Sequence, residues 1–163
     1  MTSPNRQAKG LCEKPAVEIA PLCEDGVPSL VEMMAAFYAH ERFTFDAAAS
    51  ERMIHDLLKN PRSGSVFIAR DAHQALGYAV LTHGYSLEFG GPFVLLDEIF
   101  VQPHAQGAGL GRRLIDRAAS YCRANGFGYL RLEVQKKNGR AIDVYRACGF
   151  RTEDRFLMSL PLK

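Results

Sequence analysis

The sequence predicts an α+β domain built around a mixed β-sheet, with its elements in the order β-α-α-β-β-β-α-β-α-β. The length of 163 residues fits a single domain with its own hydrophobic core. Three strand-like segments follow one another between residues 65 and 101 with only short turns between them, which is typical of an antiparallel meander. An amphipathic helical segment then separates the last of these strands from the next one. A crossover of this kind makes the two strands it joins parallel.

The composition is that of an ordinary globular protein, with 47% apolar and 23% charged residues. There are 20 basic and 18 acidic residues, giving a net charge of +2. This balance argues against a nucleic acid or a membrane as the main partner. The polar residues 1–15 are expected to form a flexible leader before a domain at 16–163, with no apolar segment typical of a signal peptide or a membrane span.

The cysteines indicate a reducing compartment. None of the four is part of a Cys-x-x-Cys pair, so we expect no metal site. Cys122 and Cys148 fall on apolar helix faces, where a thiol acts as a small buried hydrophobic group. Together these features favour a cytoplasmic protein.

The first half of the domain contains one strand and two helices. Residues 16–20 alternate between apolar and polar and predict the first strand. Asp46 is placed to cap the second helix, which Asn60-Pro61 ends. The apolar residues of the first helix recur at helical spacing: Leu30, Met33, Met34, Phe37 and Tyr38.

The second half supplies the meander and the parallel crossover. Its strands are predicted at 65–70, 76–85 and 93–101, and a helix begins near Gly109 and stops at Asn125-Gly126. A further strand at 129–134, a short helix at 139–147 and a closing strand at 156–160 complete the domain.

A glycine-rich loop joins the strand ending at Val101 to the helix beginning near Gly109. Glycines let the backbone approach a ligand closely, and a helix start offers free N–H groups and a positive dipole end, which suits phosphate. A Walker A loop is excluded because Arg112-Arg113 follow Gly111 where Lys-Ser/Thr is required. A dinucleotide fingerprint is disfavoured, because its third glycine would fall on Arg112 or Leu114, although Glu133 lies at the spacing of a ribose-binding acid.

The remaining interpretation rests on two motifs. The loop Gln106-Gly107-Ala108-Gly109-Leu110-Gly111 resembles the acetyl-CoA signature of the GNAT superfamily of N-acetyltransferases. A second segment, with Asn138, Ala141 and Tyr145 followed by Gly149-Phe150, is similar to the superfamily's other signature. The likeness, including the element order, covers about residues 16–160.

The resemblance implies a V-shaped sheet with acetyl-CoA lodged where two parallel strands splay apart. It places the pyrophosphate on the backbone N–H groups of residues 106–111, with Arg112 near a phosphate. It places the pantetheine arm along Ile99, Phe100 and Val101. Asn138 would contact that arm or cap the last helix, and the two roles are compatible. A homodimer is also expected of this superfamily.

Acetyl transfer to an amine requires that the amine lose a proton, that a donor stabilise the oxyanion and that an acid protonate the departing thiolate. The resemblance places Tyr145 near the thioester sulfur, as the acid. Asp97 and Glu98 are adjacent acids inside an apolar strand, which is costly unless they are used or paired. Strand alternation predicts that they point to opposite faces, so that one at most faces the cleft. In the superfamily, the position that matches Asp97 is often Glu, and the position that matches Glu98 is often Asp. Either residue could therefore be the base, acting through a water molecule.

The acceptor is expected to lie between the loop that joins the first two helices and the meander. Aromatic and acidic residues in these segments suit a small cation with an apolar stem. They are Tyr38, Glu41, Phe43, Tyr85 and Glu88. The pattern resembles the branch that acetylates polyamines and lysine analogues. The expected function is therefore acetylation of a small-molecule amine, with a peptide or protein amine, or a non-catalytic acyl-CoA-binding module, as alternatives.

Overall fold

A computed structural model describes residues 16–162. The leader predicted for residues 1–15 lies outside the described residues. Within them, the order of elements follows the sequence-based prediction up to the last helix.

The sheet has five strands in the spatial order β1-β2-β3-β4-β5. The first four pair antiparallel, and β4 and β5 pair parallel, which confirms the predicted mixed sheet. The strands are β1 Glu18–Pro21, β2 Gly64–Arg70, β3 Ala75–Ser86, β4 Gly91–Val101 and β5 Leu130–Leu132.

Four α-helices cover the sheet: α1 Val27–Glu41, α2 Ala47–Lys59, α3 Leu110–Ala124 and α4 Gly139–Ala147. Asp46 caps α2 as predicted, since its carboxylate accepts a hydrogen bond from the Ala49 N–H at 2.9 Å. Asn138 caps α4 in the same way through the Ala141 N–H at 3.2 Å. Among residues 16–162, no helix has the length and apolar character needed to cross a bilayer.

The sheet separates two hydrophobic cores. The α3 core contains Phe67, Leu81 and Leu114, and α4 packs against it through Tyr145 and Cys148. The α1–α2 core, on the opposite face, includes Leu30, Met33, Ile54, Ile68 and Tyr78. Both faces of β3 and β4 are therefore covered, which explains the nearly continuous apolar sequence of these strands.

Two irregularities in β4 shape the region between the layers. The register with β3 shifts between Val80, which pairs with Glu98, and Leu81, which pairs with Leu96. Asp97 has no partner and forms a β-bulge. In addition, β5 pairs only with Val94–Leu96, whereas β4 continues to Val101. Beyond Leu96 the two parallel strands have separated.

The closing strand predicted at 156–160 is wrong. After α4 the described chain contains no further strand, and the large apolar side chains of this segment are exposed. The pattern that predicted a strand is present, but no neighbouring strand pairs with it.

Candidate active site

The β4 bulge brings two carboxylates to the same face of the sheet. Leu96 is buried in the α3 core, and Ile99 packs against that core as well. In a regular strand, residues an odd number apart face opposite sides, so the bulge has inserted one residue between them. Asp97 and Glu98 both lie away from the α3 core, on the side of α1. The expectation that they point to opposite faces is therefore wrong.

Two tyrosines hold the Glu98 carboxylate. The Tyr38 hydroxyl donates to Glu98 Oε1 at 2.7 Å, and the Tyr78 hydroxyl donates to Oε2 at 2.9 Å. Burial raises the pKa of Glu98, the two hydrogen bonds lower it, and the neighbouring Asp97 charge raises it, so that the pKa lies above its usual value. Burial and Glu98 raise the pKa of Tyr38 to about 12, so both donors keep their protons.

Asp97 has a different environment. Its side chain reaches solvent and has no side-chain or backbone hydrogen-bond partner among the described residues. Partial removal of water by the surrounding strand nevertheless raises the pKa of this carboxyl above its usual value. A carboxylate with a raised pKa and no bound donor has the properties of a proton acceptor.

The last turn of α1 forms one wall beside these acids. Tyr38 packs against Phe43 and Phe45 at ring-centroid distances of 6.0 and 5.2 Å. One turn further on, Glu41 Oε2 accepts a hydrogen bond from Gln135 Nε2 at 3.4 Å. The helix ends at Arg42, whose φ of 60° is the only positive value at a non-glycine residue within 16–162. This turn keeps Tyr38, Glu41 and Phe43 near one another, since the Phe43 N–H donates to the Tyr38 carbonyl at 2.9 Å.

Tyr145 lies on α4. Its ring is half-buried against the α3 core and packs on Phe150 at 5.9 Å. Burial raises the pKa of Tyr145 above its usual value, and the Glu41 carboxylate adds to this increase.

The glycine loop forms an open cradle at the start of α3. Gly107 and Gly109 adopt left-handed φ values of 82° and 77°, and no other atom lies within 4 Å of where a Cβ would stand at either one. The backbone N–H groups of residues 107–112 have no acceptor within the described chain. The loop is braced by Gln106, whose side-chain amide donates to the Val101 carbonyl at 3.0 Å. Free N–H groups at the start of a 15-residue helix suit a phosphate group.

An unpaired strand edge leads from the acids to this cradle. Beyond Leu96, residues 97–101 of β4 have lost β5 as a neighbour, so the edge at Ile99, Phe100 and Val101 can bind an extended group that carries amides. Asn138, at the start of α4, uses its side-chain oxygen as the helix cap. Edge and cradle together fit the pantetheine amides and the pyrophosphate of coenzyme A.

Two expected site residues have other partners, and a third lies away from the acids. The Arg112 guanidinium donates to the Ala147 carbonyl at 3.2 Å, which ties α3 to α4. Glu88 forms a bidentate ion pair with Arg155. Tyr85 is 74% exposed and lies five residues, or about 16 Å, along β3 from the residue that pairs with Glu98. The structure does not bring Tyr85 and Glu88 to the acids.

Sequence reasoning missed Tyr78, whose side chain is completely buried and whose hydroxyl bonds to Glu98. The sequence does contain a sign of this contact, because Tyr78 lies in an apolar strand predicted to neighbour the strand of Glu98. A buried tyrosine hydroxyl needs a hydrogen-bond partner, and Glu98 is an acid on that neighbouring strand. Gln135 was missed as well, and no motif marks it.

A strand edge that suits amides, at the end of β4, and a helix start that suits phosphate, at α3, are the features expected of a protein that binds a coenzyme A thioester. Residues 30–150 match the model of the Acetyltransferase (GNAT) family, and the chain belongs to that family. It is an N-acetyltransferase, and its acetyl donor is acetyl-CoA.

The chain is similar to an uncharacterized N-acetyltransferase of Bacillus subtilis, with 28% identity over 72% of this chain and 80% of that protein. It is also 35% identical to the thialysine N-epsilon-acetyltransferase of Bos taurus, over 45% of this chain and 43% of that one. The match to the ribosomal protein bS18-alanine N-acetyltransferase of Escherichia coli has 29% identity over 63% and 82% of the two chains.

Solved structures share the fold. An integron cassette protein from the mobile metagenome of Cole Harbour Salt Marsh superimposes with a TM-score of 0.81 and 30% identity, over 89% of this chain and 90% of that one. An aminoglycoside N-acetyltransferase in complex with CoA superimposes with a TM-score of 0.83 and 17% identity, over 94% and 99% of the two chains.

Proposed function

We propose that this enzyme acetylates the primary amine of a small cationic molecule, with Asp97 as the base and Tyr145 as the acid. Amine and acetyl-CoA would be bound together, so that transfer is direct. The observation that carries the proposal is the β4 bulge, because it places two carboxylates beside the end of α1.

Asp97 is the better base of the two acids. Both oxygens of Glu98 already accept hydrogen bonds from tyrosines, so an amine or a water would have to displace one of them. Asp97 is free to accept a proton, through a water where the amine does not reach it. Glu98 is assigned to positioning: its carboxylate fixes Tyr38, and its negative charge favours a cation nearby.

Tyr145 is assigned as the acid because it matches the tyrosine of the family's second signature, and its hydroxyl, with a pKa above the usual value, is protonated near neutral pH. Acetyl-CoA, when bound, supplies the acetyl group. The backbone N–H groups of residues 107–112 and the edge at Ile99, Phe100 and Val101 would hold the coenzyme, with Gln106 bracing the loop and Asn138 at the start of α4. Arg112 contributes through α4 rather than through a phosphate.

The acceptor site is assigned to Tyr38, Glu41 and Phe43 together with the two strand acids. Carboxylates attract ammonium groups, and the half-exposed Phe43 offers an apolar and cation–π surface for the stem. The names of relatives support an amine on a small molecule or on a peptide, including thialysine, streptothricin and a ribosomal-protein alanine. Tyr85 and Glu88 are left out because of their distance. The free thiols of Cys23, Cys122 and Cys148 fit a cytoplasmic location.

The test is release of coenzyme A thiol with a set of amines: aliphatic diamines, monoamines of equal length, lysine analogues, an aminoglycoside and a peptide with a free N-terminus. We expect the diamines or lysine analogues to have the highest kcat/KM. A peptide that is turned over faster than every small amine would overturn the choice of acceptor. No turnover of any amine, despite a Tm raised by acetyl-CoA, would overturn the catalytic assignments.

Variants then separate the roles of the residues. Asp97→Asn and Tyr145→Phe should each lower kcat by a factor of roughly 10² to 10⁴ while retaining the Tm increase with acetyl-CoA. Tyr129→Phe, at a half-exposed tyrosine away from the acids, is the control and should retain full activity. If Asp97→Asn keeps wild-type kcat, Asp97 is not the base.

A further inference from the structure

A second cleft lies at the end of α3 that is opposite the glycine loop. Its volume is about 500 Å³, which is the size of a ligand site. Tyr121 lies eleven residues after Leu110, so about 16 Å of helix separates this cleft from the start of α3. We call it the α3-end cleft. The turn before β2, the end of β3 and the end of α3 form its walls, and its lining includes Pro61, Arg62, His83, Tyr85, Tyr121 and Phe127.

A chain of hydrogen bonds holds the aromatic floor of the α3-end cleft. The Ser65 hydroxyl donates to the Tyr121 hydroxyl at 2.9 Å, and the Tyr121 hydroxyl lies 3.1 Å from His83 Nε2. His83 Nδ1 lies 3.0 Å from the Arg62 carbonyl. Because a carbonyl only accepts, Nδ1 carries the proton and Nε2 accepts from Tyr121. The Phe127 ring lies 4.6 Å from the His83 ring, so the floor is fixed before a ligand binds, which lowers the entropy cost of binding.

One wall of the cleft is a strand edge with free backbone groups. β2 begins at Gly64, and just before it the Ser63 carbonyl accepts a hydrogen bond from the His83 N–H at 2.8 Å. Backbone groups two residues apart in a strand point to the same side, so the Tyr85 N–H and C=O point to the side that β2 has left. On the opposite side, the residue that pairs with Tyr85 is Pro92, which has no N–H to donate. Both groups of Tyr85 lack a backbone partner among residues 16–162 and can pair with an added strand.

The side chains along this edge suit a ligand that is both apolar and acidic. His83 and Tyr85 are two residues apart and share one face of β3, so an added strand would place every second side chain over aromatic rings. Among the described residues that line the cleft, Arg62 has the one permanent charge and none is a carboxylate. Arg62 is exposed, and its guanidinium has no acidic partner within residues 16–162. The charge of the cleft therefore favours an anion.

We propose that the α3-end cleft binds an extended peptide of alternating apolar and acidic residues, which adds as a short strand to the β3 edge at residues 83–86. This edge is about 13 Å long, so three or four peptide residues would pair with it. Pairing satisfies the free groups of Tyr85, the apolar side chains cover the floor, and an acidic side chain meets Arg62. A small aromatic acid would leave the strand edge unpaired, which favours the peptide. The inference does not depend on which amine is acetylated.

Fluorescence anisotropy of the full chain, with a labelled hexapeptide of alternating Phe and Glu, tests the proposal. Both peptide ends are blocked, so the probe has no free amine that could be acetylated. The Kd should be about 10⁻⁴ M or lower. A matched hexapeptide of alternating Phe and Lys should bind at least tenfold more weakly, because Arg62 repels it. Saturating acetyl-CoA should change the Kd less than twofold, since the two sites lie at opposite ends of α3.

Two N-methylated forms of the Phe and Glu hexapeptide test the strand pairing. One carries the methyl groups on its Phe nitrogens and the other on its Glu nitrogens. In a strand whose Phe side chains lie on the floor, only one of these two sets of N–H groups faces β3. One form should therefore bind within threefold of the parent peptide, and the other at least tenfold more weakly. Equal binding of the two forms would indicate a site for side chains alone and would overturn the proposal.

Arg62→Gln tests the charge, with Arg52→Gln as a matched control at an exposed arginine of α2 that does not line the cleft. Arg62→Gln should raise the Kd for the Phe and Glu hexapeptide at least fivefold, whereas Arg52→Gln should change it less than twofold. Both variants should keep the Tm increase with acetyl-CoA, which shows that they are folded. No binding of the hexapeptide at about 1 mM, equal effects of the two substitutions, or competition by acetyl-CoA would each contradict the proposal.

Discussion

Removing the hydroxyl of Tyr78 tests the hydrogen bonds that hold the Glu98 carboxylate, and it leaves the solvent-exposed part of the site unchanged. Tyr78→Phe keeps a ring that is completely buried and deletes only the donor to Glu98 Oε2. A hydrogen bond to a charged group is worth about 1.5–3 kcal/mol, and a bond between neutral groups about 0.5–1.5 kcal/mol. The variant should therefore lose about 1.5–3 kcal/mol of unfolding free energy at a pH where Glu98 is ionised in the folded protein.

The loss should depend on pH with a defined sign. The Tyr78 bond lowers the pKa of Glu98, so its removal raises the folded-state pKa further above the ordinary 4.5. Below pH 4.5 Glu98 is protonated in both the folded and the unfolded state, and only a neutral hydrogen bond is lost. The penalty should thus grow by about 1–1.5 kcal/mol as pH rises through the raised pKa, which corresponds to a pKa increase of about one unit.

Urea denaturation at several pH values measures both quantities. Tyr85→Phe, at a tyrosine that is 74% exposed, is the control and should change stability by less than about 0.5 kcal/mol at every pH. A penalty for Tyr78→Phe below 0.5 kcal/mol, or one that does not vary with pH, would refute the view that Tyr78 bonds an ionised Glu98.

Three further predictions concern the cradle and the acids. Gly109 and Gly126 lie at the two ends of α3, and both have a left-handed backbone with open space around them. Gly109→Glu and its control Gly126→Glu should therefore lower the unfolding free energy by similar amounts. Only Gly109→Glu should abolish the Tm increase with acetyl-CoA. Glu98→Gln should make the free energy of unfolding depend less on pH. In the wild type, the raised pKa of Glu98 lowers this free energy as pH rises from 4.5 to the folded-state pKa, whereas the amide of the variant does not titrate. Glu41→Gln should raise KM for a diamine about tenfold and leave KM for a monoamine of equal length within threefold, because only the second ammonium group needs that carboxylate.

Local patterns were enough to predict most of the fold. The bounds of α4 follow from Asn138 and Gly149, and the α2 cap follows from Asp46, because caps and breakers act within a few residues. Residues 156–160 show the limit of this reasoning. Their alternation predicts a strand that the structure does not contain, because pairing requires a partner and the sequence of these residues does not say where a partner lies.

The acid pair could be located from sequence but not oriented. Two adjacent acids in an apolar strand marked Asp97 and Glu98, and regular alternation then gave the wrong geometry. A cue was present in the spacing of the residues that face the α3 core: Leu96 and Ile99 are three apart, whereas Val94 and Leu96 are two apart. A shift of one in a period of two is what a bulge produces, since it adds a residue to one strand only.

The same bulge explains why the two acids have different environments. Glu98 pairs in register with Val80, so its side chain extends regularly into the α1–α2 layer, where Tyr38 and Tyr78 meet it. Asp97 is the unpaired residue, and its side chain is left at the open part of the strand, where β5 has already ended. One carboxylate is thereby locked by two donors and the other is left free for proton transfer. A regular β4 would have placed one of them in the α3 core without a partner, at a cost of several kcal/mol for a buried charge. The bulge is therefore required by the sequence as well as by the proposed chemistry.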